Sequence, residues 1–124
     1  MFPESLWLIV GGFYMGNNLL KPAPEYRNGY KDPKRMADIH NLFCSLCFLK
    51  GWQQKSKTIA HHKIGLGLGK KASDLLTMSL CDNCHTKGQD AIHHLGRVAW
   101  EEKFNVTEDD LITITNKMLE NATD

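Results

Sequence analysis

The sequence has no apolar run of membrane-spanning length. The most apolar stretch, "LWLIVGGFYM" at residues 6–15, is about half the roughly 20 residues a transmembrane helix needs. Its two glycines suit a buried strand or packing arm better than an anchor, so no membrane partner is expected. No charged start leads into an apolar stretch and a small-residue cleavage site, so a secretory signal is not expected either. Cysteine is scarce, with only Cys44, Cys47, Cys81 and Cys84. They fall into two Cys-x2-Cys pairs, and outside a secretory context such pairs bind metal more often than they form disulfides. Acidic residues are missing altogether from residues 50–71, which carry six lysines. An internal repeat beyond the two cysteine pairs is also lacking.

What is present is unevenly charged. The whole-chain net charge of +1 conceals 14 Lys and Arg against 8 acids over residues 21–103. The last stretch, 104–124, has one lysine against five acids. A basic middle suits a polyanionic partner. On charge alone, a solvated lysine surface is the preferred reading.

The length of 124 residues fits one small domain, whose limited core a structural metal would supplement. Residues 1–30 read as an arm and a linker rich in Pro, Gly and Asn. Asp32 followed by Pro33 signals the start of a helix, with Met36, Ile39, His40 and Phe43 near one face. His40 is expected to be structural. "KTIAHHKIG" at 57–65 reads as a strand, "GLGLGKKASD" at 65–74 as a flexible loop, and "LLTMSL" at 75–80 as a second short strand. From Gln89 to Phe104 the spacing of Ile92, Leu95, Ala99 and Trp100 is helical, with Gly88 interrupting any continuation from His85. Thr107 with Asp110 three residues on forms a capping-box signature for a last helix to about Leu119. Residues 31–104 thus form the core domain and 105–124 a helical tail.

Cys-x2-Cys lets two sulfurs of a tight turn face one ion, and two pairs 33 residues apart predict a four-cysteine structural zinc site. Such a site closes at four ligands, so His85, next to Cys84, is free for a second task. The doublet His61-His62 is its obvious companion. Adjacent side chains on a strand alternate between faces, so one imidazole can hold a metal while the other meets a substrate. Hydrolysis needs that pairing: an ion for developing charge and a base for water, a role open to neutral histidine. His93 is a candidate third ligand, with phosphate contact or helix capping as the competing explanation, and His94 a weaker one. Lys55, Lys57, Lys63, Lys70, Lys71 and Arg97 are the candidate phosphate contacts.

Other chemistries fail on spacing. "GLGLGKK" lacks the Walker arrangement, since Ile64 stands where its first glycine belongs and Lys71 where Ser or Thr is needed. The third glycine comes one residue early for a dinucleotide fingerprint. A zinc deaminase requires H-x-E and Pro-Cys-x2-Cys, yet Lys63 and Ile64 follow the histidines and Leu80 precedes Cys81.

Taken in order, Cys-x2-Cys, "AHHKIG", Lys71-x2-Asp74, "LCDNCH" and "IHHLGRVAWEEKF" resemble the HNH, or ββα-metal, nuclease superfamily over roughly residues 44–104. Within it the chain looks most like small phage and prophage enzymes, including the recombination-enhancement nuclease group. The resemblance implies an α+β fold: a small ββα-metal core with a four-cysteine zinc knuckle site and flanking helices. It further implies a DNA endonuclease in which His61 and His85 hold a catalytic divalent ion (magnesium, manganese or zinc), with His93 a further ligand. His62 would be the general base. The usual middle Asn has no counterpart, Leu76 standing at that slot, and Asp74 is the residue that would orient or bind near the metal. DNA with little sequence preference is the implied partner, a recombinase filament a further one, and the cytoplasm of a bacterial host the implied location. The rival expectation is a zinc-containing module that binds nucleic acid without cutting it. A scaffold that only mediates assembly ranks behind both.

Overall fold

Asp32 opens the first helix as its sequence suggests: its Oδ1 accepts the Arg35 N–H at 3.1 Å, and Pro33 occupies the first helical position. The structure, a computed structural model, describes residues 23–64 and 71–122. The apolar run at 6–15 and residues 65–70, with Lys70, lie outside the described residues. After a 3-10 turn at Pro24–Tyr26 come α1 (Pro33–Ile39) and α2 (Ser45–Lys50). The strands β1 (Thr58–His62) and β2 (Thr77–Cys81) follow, then a turn of π-helix at Asn83–Lys87. Helices α3 (Ile92–Leu95), α4 (Arg97–Phe104) and α5 (Glu108–Ala122) complete an α+β fold.

β1 and β2 pair antiparallel, with His61 opposite Met78 and His62 opposite Thr77. Among the described residues the outer edge of β2 has no sheet partner, yet the whole strand is buried. Side chains satisfy that edge. Arg35 donates to the Thr77 carbonyl at 2.7 Å, Ser45 Oγ to the Ser79 carbonyl at 2.7 Å, and Thr115 Oγ1 accepts the Ser79 N–H at 3.1 Å. Left unpaired, those groups would each cost about 1–3 kcal/mol. Met78 and Leu80 of β2 meet Leu46, Ile92, Trp100 and Leu111 in the core.

Three sequence expectations change here. The continuous helix through residue 104 is two helices, because Gly96 takes φ of 87° and breaks the run. A left-handed backbone costs glycine little, so the chain turns there between α3 and α4. The last helix runs to Ala122 instead of about Leu119. Residues 105–122 are also more than an appended tail, since α5 packs on β2 and buries Glu108, Leu111, Ile112 and Thr115. Its start does follow the capping box: Asp110 N–H donates to Thr107 Oγ1 and Thr107 N–H to Asp110 Oδ2, both at 3.0 Å. Phe43, read from its spacing as sharing a face with Met36 and Ile39, lies beyond the end of α1 and is 43% exposed. His40 follows α1 as its C-cap, with its Nδ1 3.0 Å from the Thr58 carbonyl.

Candidate functional site

Two clusters of metal-type donors occur among the described residues, and the π turn supplies one residue to each. The first gathers Cys44, Cys47, Cys81 and Cys84, all buried, with their sulfurs within 4.8 Å of one another. Cys44 precedes α2, and its Sγ accepts the Cys47 N–H at 3.4 Å, so the turn folds both sulfurs inward. β2 delivers Cys81 and the π turn delivers Cys84. Cys47 Sγ lies 4.0 Å from Cys81 Sγ and 3.9 Å from Cys84 Sγ. A tetrahedral ion with bonds of about 2.3 Å to sulfur sets neighbouring sulfurs ~3.8 Å apart, so the donor set fits zinc. Electrostatics agree. Hydrogen bonding from Cys84 lowers the Cys44 thiol to about 5, whereas burial and the Cys44 charge raise Cys47 to about 12. Cys84 is also pushed up, first by its bond to Cys44 and then by burial. One thiolate suppresses the others, and a divalent cation is what lets all four ionise together.

The second cluster joins His61, His85 and His93, whose ligand atoms also lie within 4.8 Å of one another. The ring centroids of His85 and His93 are 4.4 Å apart, and those of His61 lie 4.9 and 5.3 Å from them. His85 Nε2 and His93 Nε2 approach to 3.0 Å, which requires a proton or a cation between two lone pairs. His85 Nδ1 is buried with no hydrogen-bond partner among the described residues. Burial, then the neighbouring His61 and His93, lowers His85 to about 4, and burial and His61 lower His93 as well. Both rings are therefore neutral near pH 7, the form that binds metal. Three imidazoles, one of them solvent-exposed, would leave an ion there an open coordination position, unlike the four buried cysteines.

His62 does not join this cluster. Its Nε2 lies 2.7 Å from Asp74 Oδ1, and Asp74 Oδ2 accepts the Asp32 N–H at 2.7 Å. Burial acts to raise the Asp74 carboxyl, but the bonds from His62 and the Asp32 backbone outweigh it and hold it below its ordinary value. An ionised Asp74 accepts from His62 Nε2–H, which fixes the tautomer with Nδ1 as the basic nitrogen. The doublet thus divides: His61, 2% exposed, turns to the other histidines, and His62, with 19% of its side chain exposed, turns to Asp74. His94 is exposed and stands outside the cluster.

The sequence pattern did not single out Glu108. Its carboxylate, 1% exposed, lies 3.0 Å from His61 Nε2 and accepts the Ile64 N–H at 3.1 Å. The capping box placed it in the first turn of a helix, but nothing local says that this turn meets β1.

The candidate phosphate contacts fare unequally. Lys55, Lys57 and Lys71 are exposed. Lys63 is bound to Asp109 at 2.8 Å and Arg97 to Glu101 at 3.1 Å, so both cations are neutralised locally. Both line one hollow with Glu101, Glu108 and Asp109, a wall of mixed sign. The groove lined by Lys55 and Lys57, with Asn41, Gln54 and Ser56, contains no acid.

No protein-family model, curated protein or solved structure matches the chain. No helix of the described residues is long and apolar enough to cross a membrane.

Proposed function

We propose that the protein is a metal-dependent DNA endonuclease of the HNH type, hydrolysing phosphodiester bonds with His62 as general base. The observation that supports this reading is the separation of the two donor sets. Four buried sulfurs suit a closed structural zinc, while three imidazoles drawn from β1, the π turn and α3 form a second, accessible site. A divalent ion held by His61, His85 and His93 would supply Lewis-acid stabilisation of charge on the scissile phosphate and its leaving oxygen. His62, kept in one tautomer by Asp74, takes the proton from the attacking water. Lys55 and Lys57 offer phosphate contacts that carry little sequence information, so weak or no sequence preference is expected. A phage origin and a link to recombination follow the resemblance of the motif order.

The decisive assay is plasmid nicking with magnesium, manganese or chelator, using wild type beside His62→Ala. Metal-dependent nicking that His62→Ala abolishes, with DNA binding intact, is the expected result. A wild-type protein that binds DNA but never nicks it refutes the nuclease and leaves the non-cutting zinc module.

A further inference from the structure

The last helix reaches the histidine cluster at one point, through a buried carboxylate. Glu108 is almost wholly buried, and two groups converge on its carboxylate. His61 Nε2 stands 3.0 Å from Oε2, and the Ile64 N–H lies 3.1 Å from both carboxylate oxygens. Its own backbone N–H donates to Glu101 Oε2 at 2.7 Å, and Arg97 in turn holds Glu101 at 3.1 Å. A buried carboxylate needs such partners to remain charged at acceptable cost. It is nevertheless not one of the residues whose donor atoms cluster with His85 and His93.

We infer that Glu108 is a positioning residue for metal binding, fixing the ring and tautomer of His61 from behind. The inference rests on the proposed catalytic ion at the three histidines. The carboxylate takes the Nε2–H of His61, so Nδ1 is left unprotonated for the ion. The negative charge at the back of the ring also makes that nitrogen a better donor, the general effect of a carboxylate behind a metal-bound histidine. α5 is thereby part of the site, although none of its residues would touch the ion. Ile64 lies two residues after His62, so the same carboxylate also pins the chain leaving β1, and with it the base.

Cobalt titration of the full-length protein tests this without any activity assay. The cysteine site announces itself by sulfur-to-cobalt charge transfer, while the histidine site gives ligand-field absorption alone. Wild type is expected to bind two cobalt ions per chain. Glu108→Ala should keep the charge-transfer site and bind the second ion about 10–100-fold more weakly. Glu108→Gln, which keeps a carbonyl oxygen for the Ile64 N–H, should lose less. In a His61→Ala background, Glu108→Ala should cost nothing further, because the carboxylate acts through that ring. Second-site affinity unchanged in Glu108→Ala, or an equal loss in the His61→Ala background, overturns the inference while leaving the nuclease reading standing. A wild-type chain that takes up one cobalt only overturns both. Should Glu108→Ala lose the charge-transfer band, and so its fold, the Gln variant decides by the same comparisons.

Discussion

Cys84 and His85 are chain neighbours that serve different clusters: Cys84 Sγ lies 3.9 Å from Cys47 Sγ, and His85 Nε2 lies 3.0 Å from His93 Nε2. One turn of π-helix therefore couples a sulfur site to an imidazole site. The coupling would have a direction. If both sites hold ions as proposed, losing the sulfur ion would free the turn that positions His85, whereas losing the imidazole ion would leave the sulfur site its own supports in α2 and β2.

Cys84→Ser is accordingly expected to lose both ions and the cooperative thermal transition, since folding free energy of a small metal domain resides largely in the bound ion. His85→Ala should keep one zinc per chain and a cooperative transition while losing the second ion. Metal content by elemental analysis, read beside calorimetry of the same samples, checks both. Second-site binding retained in Cys84→Ser would break the asymmetry.

Asp74 links stability to pH. Its carboxyl is held below the ordinary value in the folded chain by the bonds from His62 and Asp32, against burial, so the unfolded chain binds the proton more readily. The resulting stabilisation is complete above the unfolded value of about 4 and fades as pH falls through the folded one. Asp74→Asn should thus be less stable than wild type at neutral pH, and the gap should close below about pH 4. Urea titrations across that range measure it. In the proposed reaction, Asp74→Asn should also lower the rate by releasing the His62 tautomer, and His62→Ala should lower it by about 10²–10⁴-fold.

The lysines separate by their partners. Lys55 and Lys57 stand exposed on an acid-free groove, while Lys63 is already bound to Asp109. Removing one cation that pairs with a DNA phosphate should reduce the steepness of the salt dependence by roughly one in log–log slope. Lys55→Ala and Lys57→Ala should both flatten the dependence of DNA affinity on salt, and Lys63→Ala should alter it little. Fluorescence anisotropy over a salt series gives the slopes, and a flattening confined to Lys63→Ala would reverse the assignment.

Local signals account for some of these features and not for others. The cysteine pairs, the Asp32-Pro33 start and the Thr107-Asp110 cap act within three or four positions, so the sequence displays them directly. The histidine cluster was readable in part, because His61, His85 and His93 are the right donor type flanking the right elements. Which member of the doublet turns inward was left open by the residues alone, since it depends on Asp74 being brought beside β1; only the resemblance assigned His61 to the cluster and His62 outside it. Glu108 was invisible for a stronger reason: it meets His61 across 47 positions, and its only local signal marks a helix start. The helix break at Gly96 was missed because a glycine inside a helical spacing pattern is usually tolerated.

Thr107 carries the last prediction, because capping and the proposed metal positioning meet there. Its Oγ1 accepts the Asp110 N–H at 3.0 Å, and Glu108 follows it immediately in the chain. Removing the hydroxyl leaves a donor of the first turn unsatisfied, a loss of about 0.5–2 kcal/mol in stability. If α5 were only a packing element, that would be the whole effect. With Glu108 holding His61, fraying of the first turn should also loosen the carboxylate. Thr107→Ala is therefore expected to weaken second-site metal binding, whereas Thr107→Ser, which keeps the cap, should leave it near wild type. Melting temperature and cobalt affinity measured on the same pair of variants separate the two effects. A drop in melting temperature with metal affinity unchanged would mean that the cap and the carboxylate are mechanically independent.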